Sequence, residues 1–293
     1  MFGTELMARE AAAIGLRPLL GFLLAIALAS CTALESLAAP ESKLVSSHWL
    51  QNDPASTQRI DHEAWTRLLA RYVVPGADGV NRVAYGRVDA ADRALLQSYI
   101  GSLEAVAVSR LNRAEQRAYW INLYNSLTTR VVLEHYPVTS ILDIHLGPGW
   151  FDIGPWQAKL VRVEGEPLSL DDIEHGILRP IWRDPRVHYA LNCTALSCPK
   201  LQSGAFTAET TEGLLEEGAR AYVNSPHGVR VDGGRLVVSS IYRWYRSDFG
   251  ESAASVLDHL RRYAAPALAT ELARFRAPDD DEYDWRLIDS DRH

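Results

Sequence analysis

The residues best suited to chemistry lie close together between positions 188 and 198. This stretch contains His188, Asn192, Cys193 and Cys198, and four residues separate the two cysteines. A cysteine thiolate paired with a histidine base can attack an acyl carbon, and a nearby amide can orient the base or hold the developing oxyanion. The stretch therefore predicts a thiol-dependent hydrolase or acyl transferase for a small-molecule or peptide substrate, with Cys198 or Cys193 as nucleophile and His188 as a candidate base.

Three alternatives remain open for the two cysteines. They could form a disulfide, because a short loop can bring their Cα atoms within bonding reach and an exported protein meets an oxidising environment. They could join His175 and His188 around a metal ion, although the preferred interpretation requires neither a metal nor a cofactor. They could also be buried, unreactive thiols. A disulfide would leave no nucleophile and would favour a non-catalytic module that binds a ligand or a protein.

A second group of candidate residues lies on one predicted helix. His175 lies about 200° around this helix from the apolar Ile173, so its side chain points away from the core. It is either a surface histidine or, facing a cleft, a second candidate base. Arg179 follows four residues later and shares this face, and Glu174 is the neighbouring acid.

Amides and a tryptophan complete the set of candidates. Asn122 and Asn125 share one face of the longest predicted helix, where they either pin loops or bind substrate. If residues 187–192 form a strand, His188 and Asn192 lie on one of its faces, about 13 Å apart at ~3.3 Å per residue. Trp244 is a candidate wall of a binding cleft.

Hydrophobic periodicity predicts which elements position these residues. Apolar residues at intervals of three and four predict helices over 61–73, 93–103, 112–135, 169–180, 206–222 and 240–263, the last with a break near Gly250. Alternation and turn residues predict strands over 80–88, 158–163, 187–192, 229–231 and 236–238. We therefore predict an α+β fold, with several helices around a small mixed or antiparallel sheet, and one globular domain over 57–289.

Composition excludes several classes of protein. The chain has 293 residues, 47% of them hydrophobic, and a formal net charge of −7. These are the values of a globular protein, so a disordered chain, a collagen and a coiled coil are excluded. The acidic balance argues against nucleic acid as a partner.

The N-terminus predicts export. Arg9 and Arg17 precede a short apolar run over 19–29, followed by Ser30 and Cys31. A basic flank and a short apolar core are typical of a secretory signal, and Cys31 is a candidate for lipid attachment. We predict a lipoprotein signal over 1–30, a tether over 31–56, and attachment to the periplasmic face of a bacterial membrane. Plain secretion and an uncleaved anchor are the alternatives.

The chain contains six motifs in order, namely YWINLYN at 119–125, SLDDIEH at 169–175, DPRVHYALNC at 184–193, SCP at 197–199, IYRWYRSDF at 241–249 and YDW at 283–285. Together they resemble the family known as domain of unknown function 547. The resemblance implies export or lipid anchoring, as is typical of bacterial members, and no settled activity. The α+β body with a long helix, a cysteine and a histidine also faintly resembles papain-like and transglutaminase-like folds.

Overall fold

Helices dominate the computed structural model, which describes residues 40–146 and 154–291. The predicted signal over 1–30 and the predicted lipid-attachment residue Cys31 lie outside these residues. From Glu41 onward the chain forms one unit. Its helices are α1 (Glu63–Tyr72), α2 (Ala90–Glu104), α3 (Arg113–His135), α4 (Leu170–Ile173), α5 (Arg179–Trp182), α6 (Thr211–Val223), α7 (Ile241–Trp244), α8 (Ala253–Tyr263) and α9 (Pro266–Leu272).

The strands are short and form three small sheets. Two are antiparallel pairs, β1 with β2 and β3 with β4. The third is mixed, because β6 pairs antiparallel with β5 and parallel with β7. The predicted α+β class with small mixed and antiparallel sheets is thus confirmed. The strands are β1 (Val73–Val74), β2 (Arg82–Val83), β3 (Val161–Val163), β4 (Glu166–Leu168), β5 (Val229–Asp232), β6 (Arg235–Ser239) and β7 (Asp280–Glu282).

Helix α3 forms the centre of the larger of two hydrophobic clusters. Trp120, Leu123, Leu127 and Val131 are buried along it, as the apolar periodicity predicts. Asn112 caps its start by accepting a hydrogen bond from the backbone N–H of Glu115. The second cluster lies between the β5–β6 hairpin and helices α6 and α8.

Two predicted strands are wrong over most of their length. The stretch predicted as a strand over 187–192 begins with a 3-10 helix, Pro185–Tyr189, so His188 and Asn192 do not share a strand face. The side chain of Asp184 accepts the N–H of Arg186, and Pro185 fixes the first turn, so local capping overrides the alternation. Within 80–88, only β2 is a strand, and the 3-10 helix Tyr85–Arg87 follows it.

The predicted helix over 169–180 begins as expected but continues past Pro180. Ser169 and Asp172 form the expected capping box. The chain then runs through a π-helical segment, Glu174–Leu178, into α5, and it ends where Arg183 adopts a left-handed conformation. Pro180 lies in the first turn of α5, where a missing N–H is tolerated.

The π-helical segment leaves two carbonyl groups for another part of the chain. The carbonyl of His175 accepts the N–H of Lys43 at 3.1 Å, and that of Gly176 accepts the N–H of Val45 at 3.0 Å. Trp49 follows and is buried against Trp120. This part of the predicted tether over 31–56 is therefore folded onto the body, because it supplies backbone donors that the helix cannot.

Gly176 permits this close approach, and we expect Gly176→Ala to loosen residues 43–45. A Cβ at position 176 would lie 2.9 Å from Cβ of Val45. Such overpacking costs about 1–3 kcal/mol in a rigid site. Hydrogen exchange should show loss of protection at the amides of Lys43 and Val45. The control is Gly213→Ala in α6, where an added Cβ meets nothing within 4 Å, and which we expect to be neutral or stabilising. Unchanged protection at both amides would contradict the role of Gly176.

Candidate functional site

Four of the predicted site residues meet in one buried cluster. The segment from α4 to α5 supplies Glu174, His175 and Arg179, because its turns place them on one side. His188 comes from the 3-10 helix that follows. We name this set the charged cluster, together with two acids, Asp171 of α4 and Asp248 of the 3-10 helix Arg246–Phe249.

Asp248 holds the cluster together. Its carboxylate accepts a hydrogen bond from Nε2 of His188 at 2.7 Å. It also accepts Nε and Nη2 of Arg179 at 2.6 and 3.2 Å, a bidentate arrangement. Nδ1 of His188 lies 3.6 Å from Oε1 of Glu174, so this ring lies between two carboxylates. The contacts join segments that are far apart in sequence.

The protonation states in the cluster follow from these contacts. Burial alone would raise the pKa of Glu174, but the cationic groups around it lower that pKa to about 2. Burial also opposes ionisation of His188, but its hydrogen bonds to Asp248 and Glu174 raise its pKa above the usual value. Hydrogen bonds from His188 and Arg179 hold the pKa of Asp248 well below its usual range despite burial. Two buried cations therefore balance two buried anions.

In contrast to these four ionised groups, burial favours the neutral forms of His175 and Asp171. Burial lowers the pKa of His175 to about 4, so its ring is neutral at pH 7, and its Nδ1 lies 3.0 Å from Nη1 of Arg179. Burial and the nearby charge of Glu174 raise the pKa of Asp171 to about 7. Within residues 40–146 and 154–291, the only basic side chain within 4 Å of the Asp171 carboxylate is this neutral histidine, at 3.7 Å.

Tyr245 covers the cations of the cluster. Its ring stacks on His188 with 4.4 Å between centroids and an interplanar angle of 8°. The guanidinium carbon of Arg179 lies 4.7 Å from the centre of the same ring. These are stacking and cation–π contacts that stabilise desolvated positive charge.

Cys193 and Cys198 form a disulfide with a Cα–Cα distance of 5.9 Å. In the described residues, the hydrogen-bond donors to its sulfurs are the hydroxyl of Tyr283 and the N–H of Cys193. The predicted pairing of a free thiol with His175 or His188 is not what the structure shows, because the sulfurs are bonded to each other. The residues after Cys198 do not continue as a helix, so no helix N-terminus lies beside it.

A continuous set of half-buried rings connects the disulfide with the charged cluster. Tyr283, which touches both sulfurs, lies 4.8 Å from Trp244 and 4.6 Å from Trp285 between ring centroids. Trp285 also contacts Trp156 at 5.8 Å, and Trp244 contacts Tyr245 at 6.4 Å. We name these five rings the aromatic patch. Trp244 is thus placed beside the cluster, as a cleft wall would require.

The three predicted site asparagines bind backbone groups. Asn122 accepts the N–H of Phe206 and donates to its carbonyl. Asn125 accepts the N–H of Asn192 and donates to the carbonyl of Ala190. Asn192 donates to the carbonyl of Pro199 and accepts the N–H of Thr194, which closes the disulfide loop. Their amides therefore fix loops around the site, the structural interpretation of the pair on α3.

Sequence reasoning missed Asp171, Tyr245, Asp248 and Tyr283 as site residues. Their signal lay in the motifs SLDDIEH, IYRWYRSDF and YDW, which contain all four. Among residues 40–146 and 154–291, no group of three or more His, Cys, Asp and Glu side chains could hold a metal ion. In the same residues, no helix is both long and apolar enough to cross a bilayer.

Comparison with known proteins supports part of the predicted resemblance. Residues 108–223 match the profile of the family described as "Protein of unknown function, DUF547". The matched segment contains α3, the α4 to α5 segment, His188 and the disulfide loop. No curated protein and no solved structure matches the chain.

Proposed function

We propose that this protein is an exported, membrane-tethered module that binds a small organic cation between Asp171 and the aromatic patch. Export and a lipid on Cys31 follow from the N-terminal signal. Binding rather than thiol catalysis is favoured because the disulfide leaves no free nucleophile. The family match adds no activity of its own.

One observation carries the choice of ligand, namely the unbalanced carboxyl group of Asp171. Glu174 and Asp248 each have a cationic partner within 4 Å, whereas burial, Glu174 and Asp172 disfavour ionisation of Asp171 and only the more distant Lys159 opposes them. A bound cation would offset the free-energy cost of ionising Asp171. The side chain of Asp171 is about a quarter exposed, at 23%, so a ligand can reach it.

The aromatic patch supplies the other half of the site. The backbone N–H of Asp171 donates to the carbonyl of Trp156 at 3.1 Å, so the backbone of Asp171 lies beside one residue of the patch. The faces of tryptophan and tyrosine rings attract ammonium groups, and a nearby carboxylate strengthens the attraction. An organic ammonium ion would satisfy both partners at once.

We expect choline to bind more tightly than its neutral carbon isostere, 3,3-dimethyl-1-butanol. The two probes have the same shape, so only the charge distinguishes them. Titration followed by tryptophan fluorescence and calorimetry measures both affinities. Asp171→Asn should weaken choline binding about tenfold or more, the effect of a lost charged contact, and leave the isostere unchanged. Asp258→Asn, an exposed acid on α8, is the matched control.

Affinity should also depend on pH. Because the pKa of Asp171 is about 7, the carboxyl is ionised above pH 7 and neutral below it. Choline affinity should therefore fall as pH decreases through 7, and this dependence should disappear in Asp171→Asn. Equal affinity for choline and its isostere would refute the proposed cation site.

A further inference from the structure

We propose that the Cys193–Cys198 disulfide is a thiol-oxidising site, in which an external thiol attacks Cys193 and Cys198 leaves as a thiolate held by Tyr283. This activity shares Tyr283 with the aromatic patch but does not require a bound cation. The substrate class is an accessible thiol, from a small molecule or from a cysteine of another polypeptide.

The two sulfurs differ in access. Cys193 is half-buried, whereas Cys198 is only 1% exposed. Exchange requires a thiolate to approach one sulfur while the other departs. Cys193 is the more exposed residue of the pair, so burial favours attack on Cys193 over attack on Cys198.

The departing sulfur has donors already in place. The N–H of Cys193 points at Sγ of Cys198 at 3.0 Å, and the hydroxyl of Tyr283 lies between the two sulfurs, 3.2 Å from Sγ of Cys198 and 3.0 Å from Sγ of Cys193. Burial raises the pKa of Tyr283 well above its usual value, so the hydroxyl keeps its proton. A neutral disulfide sulfur gains little from these donors, whereas a forming thiolate gains much, so they favour opening.

The loop between the cysteines holds a strained residue. Thr194 adopts φ of +64°, a left-handed conformation that is rare for a β-branched side chain. Its hydroxyl is buried without a partner among the described residues. Opening the disulfide would allow Thr194 to relax, and exposed disulfides are more readily reduced than buried ones. We therefore expect the disulfide that closes this loop to be readily reduced.

The reaction balances with two thiols and no other reagent. The first thiolate attacks Sγ of Cys193, the Cys193–Cys198 bond breaks, and a mixed disulfide forms on Cys193. The electron pair of the broken bond remains on Cys198. A second thiolate then attacks the substrate sulfur of the mixed disulfide, and Cys193 leaves and takes up a proton. Two substrate thiols are oxidised to one disulfide, and the protein becomes a dithiol.

The test uses the whole oxidised protein and millimolar reduced glutathione. Samples are quenched with an alkylating agent at successive times and mapped by mass spectrometry. We expect the glutathione adduct on Cys193 and the alkyl group on Cys198, with the reverse pattern at least about tenfold rarer. Adducts divided equally between the two cysteines, or a disulfide that opens only after denaturation, would overturn the proposal.

A second measurement tests the role of Tyr283, which acts by positioning a donor. Tyr283→Phe keeps the ring and removes the hydroxyl, and we expect opening to slow about tenfold. Tyr242→Phe is the control, because it removes a tyrosine hydroxyl that contacts Tyr189 instead of sulfur. Thermal unfolding of both oxidised variants checks that each is folded. Equal opening rates in Tyr283→Phe and the wild type would remove the hydroxyl from the mechanism.

A parallel reaction identifies the source of the thiol. Glutathione is compared with an unstructured peptide that carries one cysteine beside a tryptophan, at equal thiolate concentration. Faster reaction of the peptide would assign the site to polypeptide thiols recruited by the aromatic patch. Faster reaction of glutathione would assign it to small thiols, and equal rates would mean that the site accepts any accessible thiol. Failure of both probes to open the folded protein would refute the thiol-oxidising site and leave cation binding untouched.

Discussion

Asp248→Ala should destabilise the protein more than any other single change in the charged cluster, by about 3–5 kcal/mol in the free energy of unfolding. The carboxylate of Asp248 accepts hydrogen bonds from both Arg179 and His188. The variant would leave these two groups buried without their shared anion, and Glu174 alone cannot balance both. At about 2–4 °C for each kcal/mol in a domain of this size, the melting temperature should fall by roughly 10 °C.

The pH dependence of this loss gives a second signature. The folded state raises the pKa of His188, so the stability from its charge is present below about pH 6.5 and is lost as pH rises through the folded value. The folded state lowers the pKa of Asp248, so that contribution is lost as pH falls below about 4. The difference between wild type and Asp248→Ala should therefore be largest between these limits.

Chemical denaturation from pH 3 to 9 measures this difference directly. The matched control is Asp258→Asn, because Asp258 forms an exposed pair with Arg261, and such pairs contribute less than about 1 kcal/mol. Asp248→Asn should fall between the two, since an amide can still accept one hydrogen bond. A loss in Asp248→Ala no larger than that in the control would show that the cluster is not held by Asp248.

Local patterns were enough to predict half of the charged cluster. Glu174, His175 and Arg179 lie within six residues, so helical spacing alone places them near one another. Asp248 lies 60 residues beyond His188 in sequence, and only tertiary packing brings them to 2.7 Å. The periodicity of a single segment carries no information about such pairing. For the same reason, the contact of Tyr283 with the disulfide could not be predicted.

Element prediction succeeded where a long apolar period was present and failed where capping decided the conformation. Helix α3 is buried on all sides from Glu115 to Thr129, and the spacing of its large apolar residues over several turns has one helical interpretation. The alternation over 187–192 covers only six residues, and Asp184 with Pro185 starts a tight turn there. The prediction that the helix ends at Pro180 was wrong because the π-helical segment before the proline allows the helix to continue past it.

Asn125→Leu should cost about 2–4 kcal/mol and should also change the surroundings of the disulfide. The side chain of Asn125 satisfies the carbonyl of Ala190 at 2.9 Å and the N–H of Asn192 at 2.9 Å. Leucine keeps a similar volume but leaves both buried backbone groups without a partner. Each such group costs about 1–3 kcal/mol.

Asn122→Leu is the matched variant on the same helix. Asn122 makes the same pair of hydrogen bonds, to the N–H and carbonyl of Phe206, outside the disulfide loop. Both variants should lose similar free energies of unfolding in urea. Only Asn125→Leu should increase hydrogen exchange at the amides of Asn192 and Thr194. It alone should also increase the rate at which glutathione reacts with the disulfide. Because the two substitutions differ only in which loop they release, a faster reaction in both would mean that global stability controls access to the disulfide. A faster reaction in Asn125→Leu alone would mean that this one amide holds the loop closed around Cys198.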